Sequence, residues 1–117
     1  MQNTALSRTE TFAAKEVEKF ISTEEGAIFQ SEAMKKTITN GGDDLKKMLE
    51  EPIDVVEYNS KTYILDGHNR LKAFSELVDK KVKVTVLSIE DALKNYKSKM
   101  EDIIKGNFNT PLKDEHQ

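Results

Sequence analysis

Lys81-Val82-Lys83-Val84-Thr85-Val86-Leu87 alternates polar and apolar positions, with three valines on one side, and predicts a strand with one face buried. Two more strand-like runs, Ile53–Tyr58 and Lys61–Leu65, flank Asn59-Ser60 and predict a β-hairpin. Elsewhere the period is helical. Ala13, Val17, Phe20 and Ile21 predict a helix near 10–21, preceded by Ser7-Arg8-Thr9-Glu10 at the spacing of a capping box. Ser31 is placed to cap a short helix carrying Met34 and Ile38, stopped by Asn40-Gly41-Gly42. Asp43 or Asp44 caps the next, which carries Leu45, Met48 and Leu49 and is closed by Pro52. A further helix runs from about His68 to Val78, with Leu71, Phe74, Leu77 and Val78 on one face, and Asp79-Lys80 makes the return turn. Ser88 caps a last helix whose stripe is Leu93, Tyr96, Met100, Ile103 and Ile104, ended by Gly106. Ala27-Ile28-Phe29-Gln30 is too short to assign.

These elements predict an α+β fold in a single domain, residues 1–117, with a small sheet of about three or more strands and flanking helices. Its parts are an N-terminal helical region of about 8–42, a core of about 43–90, a helix of about 89–105 and a loosely held polar tail of 107–117.

Composition narrows the function. The chain has 117 residues, 37% hydrophobic and 33% charged, enough for one thin core and a well-solvated surface. It contains no apolar stretch long enough for a membrane span, and Met1–Glu10 lacks the apolar centre of a secretory signal. The expectation is a cytoplasmic protein, or a module of a larger one whose export signal lies elsewhere. With no cysteine and only His68 and His116, disulfides, thiolate sites and multi-histidine zinc clusters are excluded. A net charge of −3 argues against a broad basic surface for duplex DNA, leaving room for a local anion site.

The candidate for that site is the junction Tyr63-Ile64-Leu65-Asp66-Gly67-His68-Asn69-Arg70-Leu71-Lys72-Ala73-Phe74. Glycine at a strand-to-helix turn allows close backbone approach, and the N–H groups opening the helix point outward unpaired. Arg70 can grip phosphate with two parallel bonds. His68, with an ordinary pKa near ~6.5, suits proton transfer to an ester oxygen, and Asp66 can orient it or hold a divalent cation. The structural alternative is that Asp66 caps the helix, Gly67 makes the turn and Arg70 pairs with a nearby acid. Lys72, Lys80, Lys81 and Lys83 could form a modest basic rim, or guard an exposed strand edge. Lys94, Lys97 and Lys99 read as a solvated helix face. Tyr58, Tyr63 and Phe74 fall at core positions.

Two adjacent strands ending in Ile-Leu-Asp-Gly-His-Asn-Arg-Leu-Lys-Ala, then a helix and a valine-rich strand, resemble the ParB/sulfiredoxin superfamily. The likeness is to its ParB-like nuclease subgroup, whose motif is Asp-Gly-His-His-Arg, and it covers about residues 43–90. It implies that the corner binds nucleotide or nucleic-acid phosphate, since members include nucleases, nucleotide-binding partition proteins and small kinases. Carried over by position, Asp66, His68 and Arg70 would be catalytic, and Gly67, Asn69 and Arg70 would bind phosphate. Asn69 stands where the usual pattern has a second histidine. Glu32 and Glu57 are the candidates for a further carboxylate, with Lys72 beside the motif. The chain also resembles the ParB-like toxin modules of bacterial contact-dependent inhibition and other polymorphic toxin proteins. That implies delivery by a larger secreted protein, action in the target-cell cytoplasm and a cognate immunity protein as partner. The expected function is a nuclease, with magnesium, Asp66 being a candidate ligand, or a nucleoside triphosphate as cofactor. The alternative is a nucleotide-binding kinase, ATPase or ligand-gated module.

Overall fold

The computed structural model describes residues 6–24 and 30–114, and shows an α+β fold built on one mixed sheet. Its four strands are β1 (Arg8–Ala13), β2 (Asp54–Tyr58), β3 (Lys61–Asp66) and β4 (Lys81–Leu87), in the order β1-β4-β2-β3. β2 and β3 form the expected antiparallel hairpin, β4 runs parallel to β2, and β1 pairs antiparallel with β4. Asn59 and Ser60 both take positive φ, 53° and 67°, the backbone that a two-residue hairpin turn needs to match strand twist.

Among the described residues six α-helices surround the sheet: α1 (Ala14–Val17), α2 (Ser31–Asn40), α3 (Gly42–Glu50), α4 (His68–Ser75), α5 (Ile89–Asn95) and α6 (Lys97–Ile104). The valine stripe of β4 lies in one core with Val55, Ile64, Leu71 and Phe74. The opposite face buries Val56, Tyr63 and Leu65 against Ala92, Met100 and Ile103 of α5 and α6. α4 carries the chain from β3 to β4, with β2 between them in the sheet.

Several elements differ from the sequence pattern. The stretch expected as a helix over 10–21 is a strand followed by a single helical turn. Ser7 caps nothing there: its hydroxyl donates to Asp91 and accepts the Ser88 N–H, stitching the start of β1 to α5. The alternation of Thr9 and Thr11 against Glu10 and Phe12 prevails because β4 supplies a ladder partner at every position from Arg8 to Ala13. Glu16 instead reaches back to the Ala13 N–H at 3.0 Å, half of a capping box.

α2 begins after Gln30 with no side-chain cap, and Ser31 is its buried first residue. α3 starts from Gly41, and Asp43 and Asp44 lie in its first turn, where negative charge complements the helix dipole. α4 stops at Ser75, leaving Val78 87% exposed. The last predicted helix is two, broken at Tyr96, whose φ of −138° is not helical. Ser88 does cap α5, accepting the Asp91 N–H at 3.0 Å.

The tail is docked through residue 114. Leu112 is fully buried, its N–H bonds the Phe20 carbonyl, and the Ser22 N–H bonds the Thr110 carbonyl. Between them Ile21 bridges β3 on one side and Pro111 on the other, so the outer edge of β3 is covered. Of the unassigned stretch Ala27–Gln30, residues 27–29 lie outside the described residues.

Candidate functional site

The motif lands where β3 turns into α4. Gly67 is the N-cap residue of α4 with φ of +96°, a conformation only glycine adopts without strain. The space is also closed to a side chain, since a Cβ there would stand 3.0 Å from Ile53 Cγ2 and 3.2 Å from Arg70 Nη2. No side chain caps this helix from the N-cap position. In front lies a polar recess of about 180 Å³, lined by Glu24, Met34, Asp66, Gly67, His68, Asn69 and Arg70.

Arg70 is buried and its fork is turned inward. Nη1 donates to the Glu51 carbonyl at 2.6 Å and the Met48 carbonyl at 3.4 Å, and Nη2 to the Pro52 carbonyl at 3.0 Å. These are carbonyls at and just past the end of α3, which need donors once the helix ends. The expected acid partner is thus replaced by backbone. His68 is buried too, and its Nε2 accepts the Thr23 N–H at 3.0 Å. The ring's proton is then on Nδ1, whose edge lies 3.8 Å from Glu24 Oε2. Asn69 Oδ1 accepts the Gln30 N–H at 3.1 Å, tying α4 to the start of α2. Asp66 alone of the expected trio is exposed.

Two residues at this corner were not legible as site residues. Glu24 lines the recess, and Lys99, expected on a solvated face, donates to its Oε2 and to the Leu65 carbonyl at 2.8 Å. A register shift explains the second contact. Asp54 stands opposite Asp66 but Val55 opposite Ile64, so Leu65 bulges without a partner in β2 and Lys99 takes its carbonyl. Burial pushes the Glu24 carboxyl up, but the Lys99 hydrogen bond and charge outweigh this and hold it below its ordinary value. The Tyr96 hydroxyl donates to Asp54 at 2.5 Å; burial, that bond and the charges of Asp54 and Asp66 push the phenol well up. No local pattern marks Glu24 or Lys99, since the segments that carry them meet only in the fold.

Other expected residues lie elsewhere. Glu32 sits on the outer face of α2 paired with Lys35, away from the recess. Glu57 is toward the far end of the hairpin, opposite Thr62, and pairs with Arg8 at 2.9 Å. Lys72 is buried, with Nζ donating to the Leu112 carbonyl at 3.2 Å, so it anchors the tail instead of forming a rim.

Among the described residues no three His, Cys, Asp or Glu side chains cluster as a metal site. Asp66, exposed at the rim, suits magnesium, which takes one or two carboxylates and completes its shell with water and substrate phosphate, whereas Glu24 Oε2 is held by the Lys99 ammonium. Comparison with protein-family models, with curated proteins and with solved structures returned no match. No helix among the described residues is long and apolar enough to cross a membrane.

Proposed function

We propose that the protein cleaves phosphodiester bonds of nucleic acid, with the scissile phosphate held in the recess before α4. The observation that carries this is the start of α4: a left-handed Gly67, no capping side chain, and a polar recess edged by two carboxylates. The leading N–H groups of a helix are unpaired donors at the positive end of its dipole, so phosphate oxygens suit them.

The chain's own groups divide the work. The α4 amides bind the phosphate. Asp66, exposed at the rim, would hold a divalent cation, which would neutralise charge gathering on the phosphoryl oxygens. His68 and Arg70 shape the recess from behind through Thr23 and the end of α3. The resemblance to toxin modules extends the proposal: the activity would act in a target-cell cytoplasm and be neutralised by an immunity protein.

Nucleotide binding without cleavage is the second reading. It is favoured by the internal engagement of His68 Nε2 and the Arg70 fork, which turns both away from a substrate. The ligand would then be a nucleoside triphosphate, in a kinase, an ATPase or a ligand-gated module.

The experiment is incubation of pure protein with tRNA, total RNA and plasmid, with and without magnesium, alongside Asp66→Asn. Cleavage by the parent, lost in a variant of unchanged thermal midpoint, supports the nuclease. No cleavage, but a thermal midpoint that rises with nucleoside triphosphate, transfers support to the second reading. If neither occurs, the recess is not a phosphate site.

A further inference from the structure

A second hollow, a groove of about 530 Å³, lies on the other side of the segment 51–53. One wall is the end of α3 and the approach to β2: Leu49, Glu51, Pro52 and Ile53. The other is the stretch of sheet that α5 and α6 leave bare, where Thr9 lies opposite Thr85 and Thr11 opposite Lys83, with Lys81 next along β4. Cross-strand partners share a face, so these hydroxyls and ammonium groups point together into the groove.

We propose that this groove binds the backbone of a single strand of nucleic acid that continues out of the recess. The inference rests on the proposed cleavage site and extends it. Charge complementarity selects the occupant. Lys81 and Lys83 stand roughly 6–7 Å apart along the strand, three threonine hydroxyls lie beside them, and Glu51 is the one carboxylate in the lining among the described residues. Two cations are too few for a duplex footprint and enough for a short run of one strand. Among the described residues the lining holds no aromatic ring on which a base could stack, so contacts fall on phosphate and sugar and carry no sequence preference.

Position supports the same occupant. The segment that separates groove from recess is the one Arg70 grips from the recess side, through the Glu51 and Pro52 carbonyls. A Cβ on Gly67 would touch Ile53, which lines the groove. The two hollows are therefore back to back across one strand of backbone, and a chain leaving the α4 amides reaches the lysines by crossing that ridge. This also gives Arg70 a positioning role: it fixes the ridge over which substrate passes.

The test is fluorescence anisotropy of labelled single-stranded RNA and DNA oligonucleotides across a salt series. It compares the parent, K81Q/K83Q, and K94Q/K97Q, which removes the same charge from the exposed faces of α5 and α6. Cleavage is followed in parallel. The groove variant is expected to bind roughly tenfold more weakly, with a salt slope smaller by about 1.4, and the control variant to match the parent. Equal weakening in both lysine pairs, or parental binding by K81Q/K83Q, overturns the groove while leaving cleavage to be judged by itself. Groove-dependent binding without cleavage keeps the groove and overturns the nuclease. A parent that binds neither oligonucleotide overturns both.

Discussion

His68 Nε2 accepts the backbone N–H of Thr23 at 3.0 Å, joining the first residue of α4 to a segment 45 positions earlier in the chain. Thr23 is held from its other side as well, its hydroxyl donating to the Ile64 carbonyl at 2.6 Å. The imidazole is therefore a buried latch that sets where Glu24 stands.

His68→Ala leaves a buried N–H without its acceptor, which costs roughly 1–3 kcal/mol. Urea unfolding is expected to show that loss, with partial recovery in His68→Gln, whose amide oxygen can accept. A midpoint unchanged by His68→Ala would show that the latch contributes nothing.

Arg70→Lys tests whether a charge or a fork is needed. A lysine keeps the charge but cannot serve the Glu51 and Pro52 carbonyls from one plane. The expected loss is about 1.5–3 kcal/mol, as for hydrogen bonds made by charged groups. Equal stability of the two proteins would mean that the carbonyls at the end of α3 are satisfied by solvent.

Gly67→Ala is expected to destabilise by more than about 1 kcal/mol, because an L-residue resists this φ and the methyl meets Ile53 at 3.0 Å. Thermal unfolding measures it. In contrast, Gly106→Ala meets nothing within 4 Å, so its cost is the backbone term alone and it serves as the control for φ.

Two groups tie stability to pH in opposite directions. Tyr96 is raised above its ordinary value of 10, so its share of stability is present below pH 10 and fades as pH climbs beyond it. Glu24 is lowered from 4.5, so its share is present above pH 4.5 and is lost as pH falls through the folded-state value. Unfolding curves across pH are expected to flatten on the alkaline limb in Tyr96→Phe and on the acid limb in Glu24→Gln. Unchanged limbs would dissociate these contacts from folding.

The N-terminal segment shows why local pattern can mislead. Ala13, Val17, Phe20 and Ile21 do recur at helical spacing, and all but the half-buried Ala13 are buried. Yet each is reached by a different local structure: strand, helical turn, bend and bridge. Spacing recorded that these side chains face inward, not the backbone that takes them there. Lys72 is the reverse case, a lysine beside the motif that its helix turns inward to hold the tail.

Part of this molecule is enforced by residues close together in the chain. The hairpin at Asn59-Ser60, the alternating β4, the glycine turn into α4 and the α+β class all follow from contacts within a few residues. Packing between distant segments accounts for the rest. It made β1 a strand because β4 was there to pair with, and brought Glu24 and Lys99 to a bulged carbonyl. It also turned His68 and Arg70 inward, because buried N–H and C=O groups from distant segments required partners that nothing in their own neighbourhood could supply.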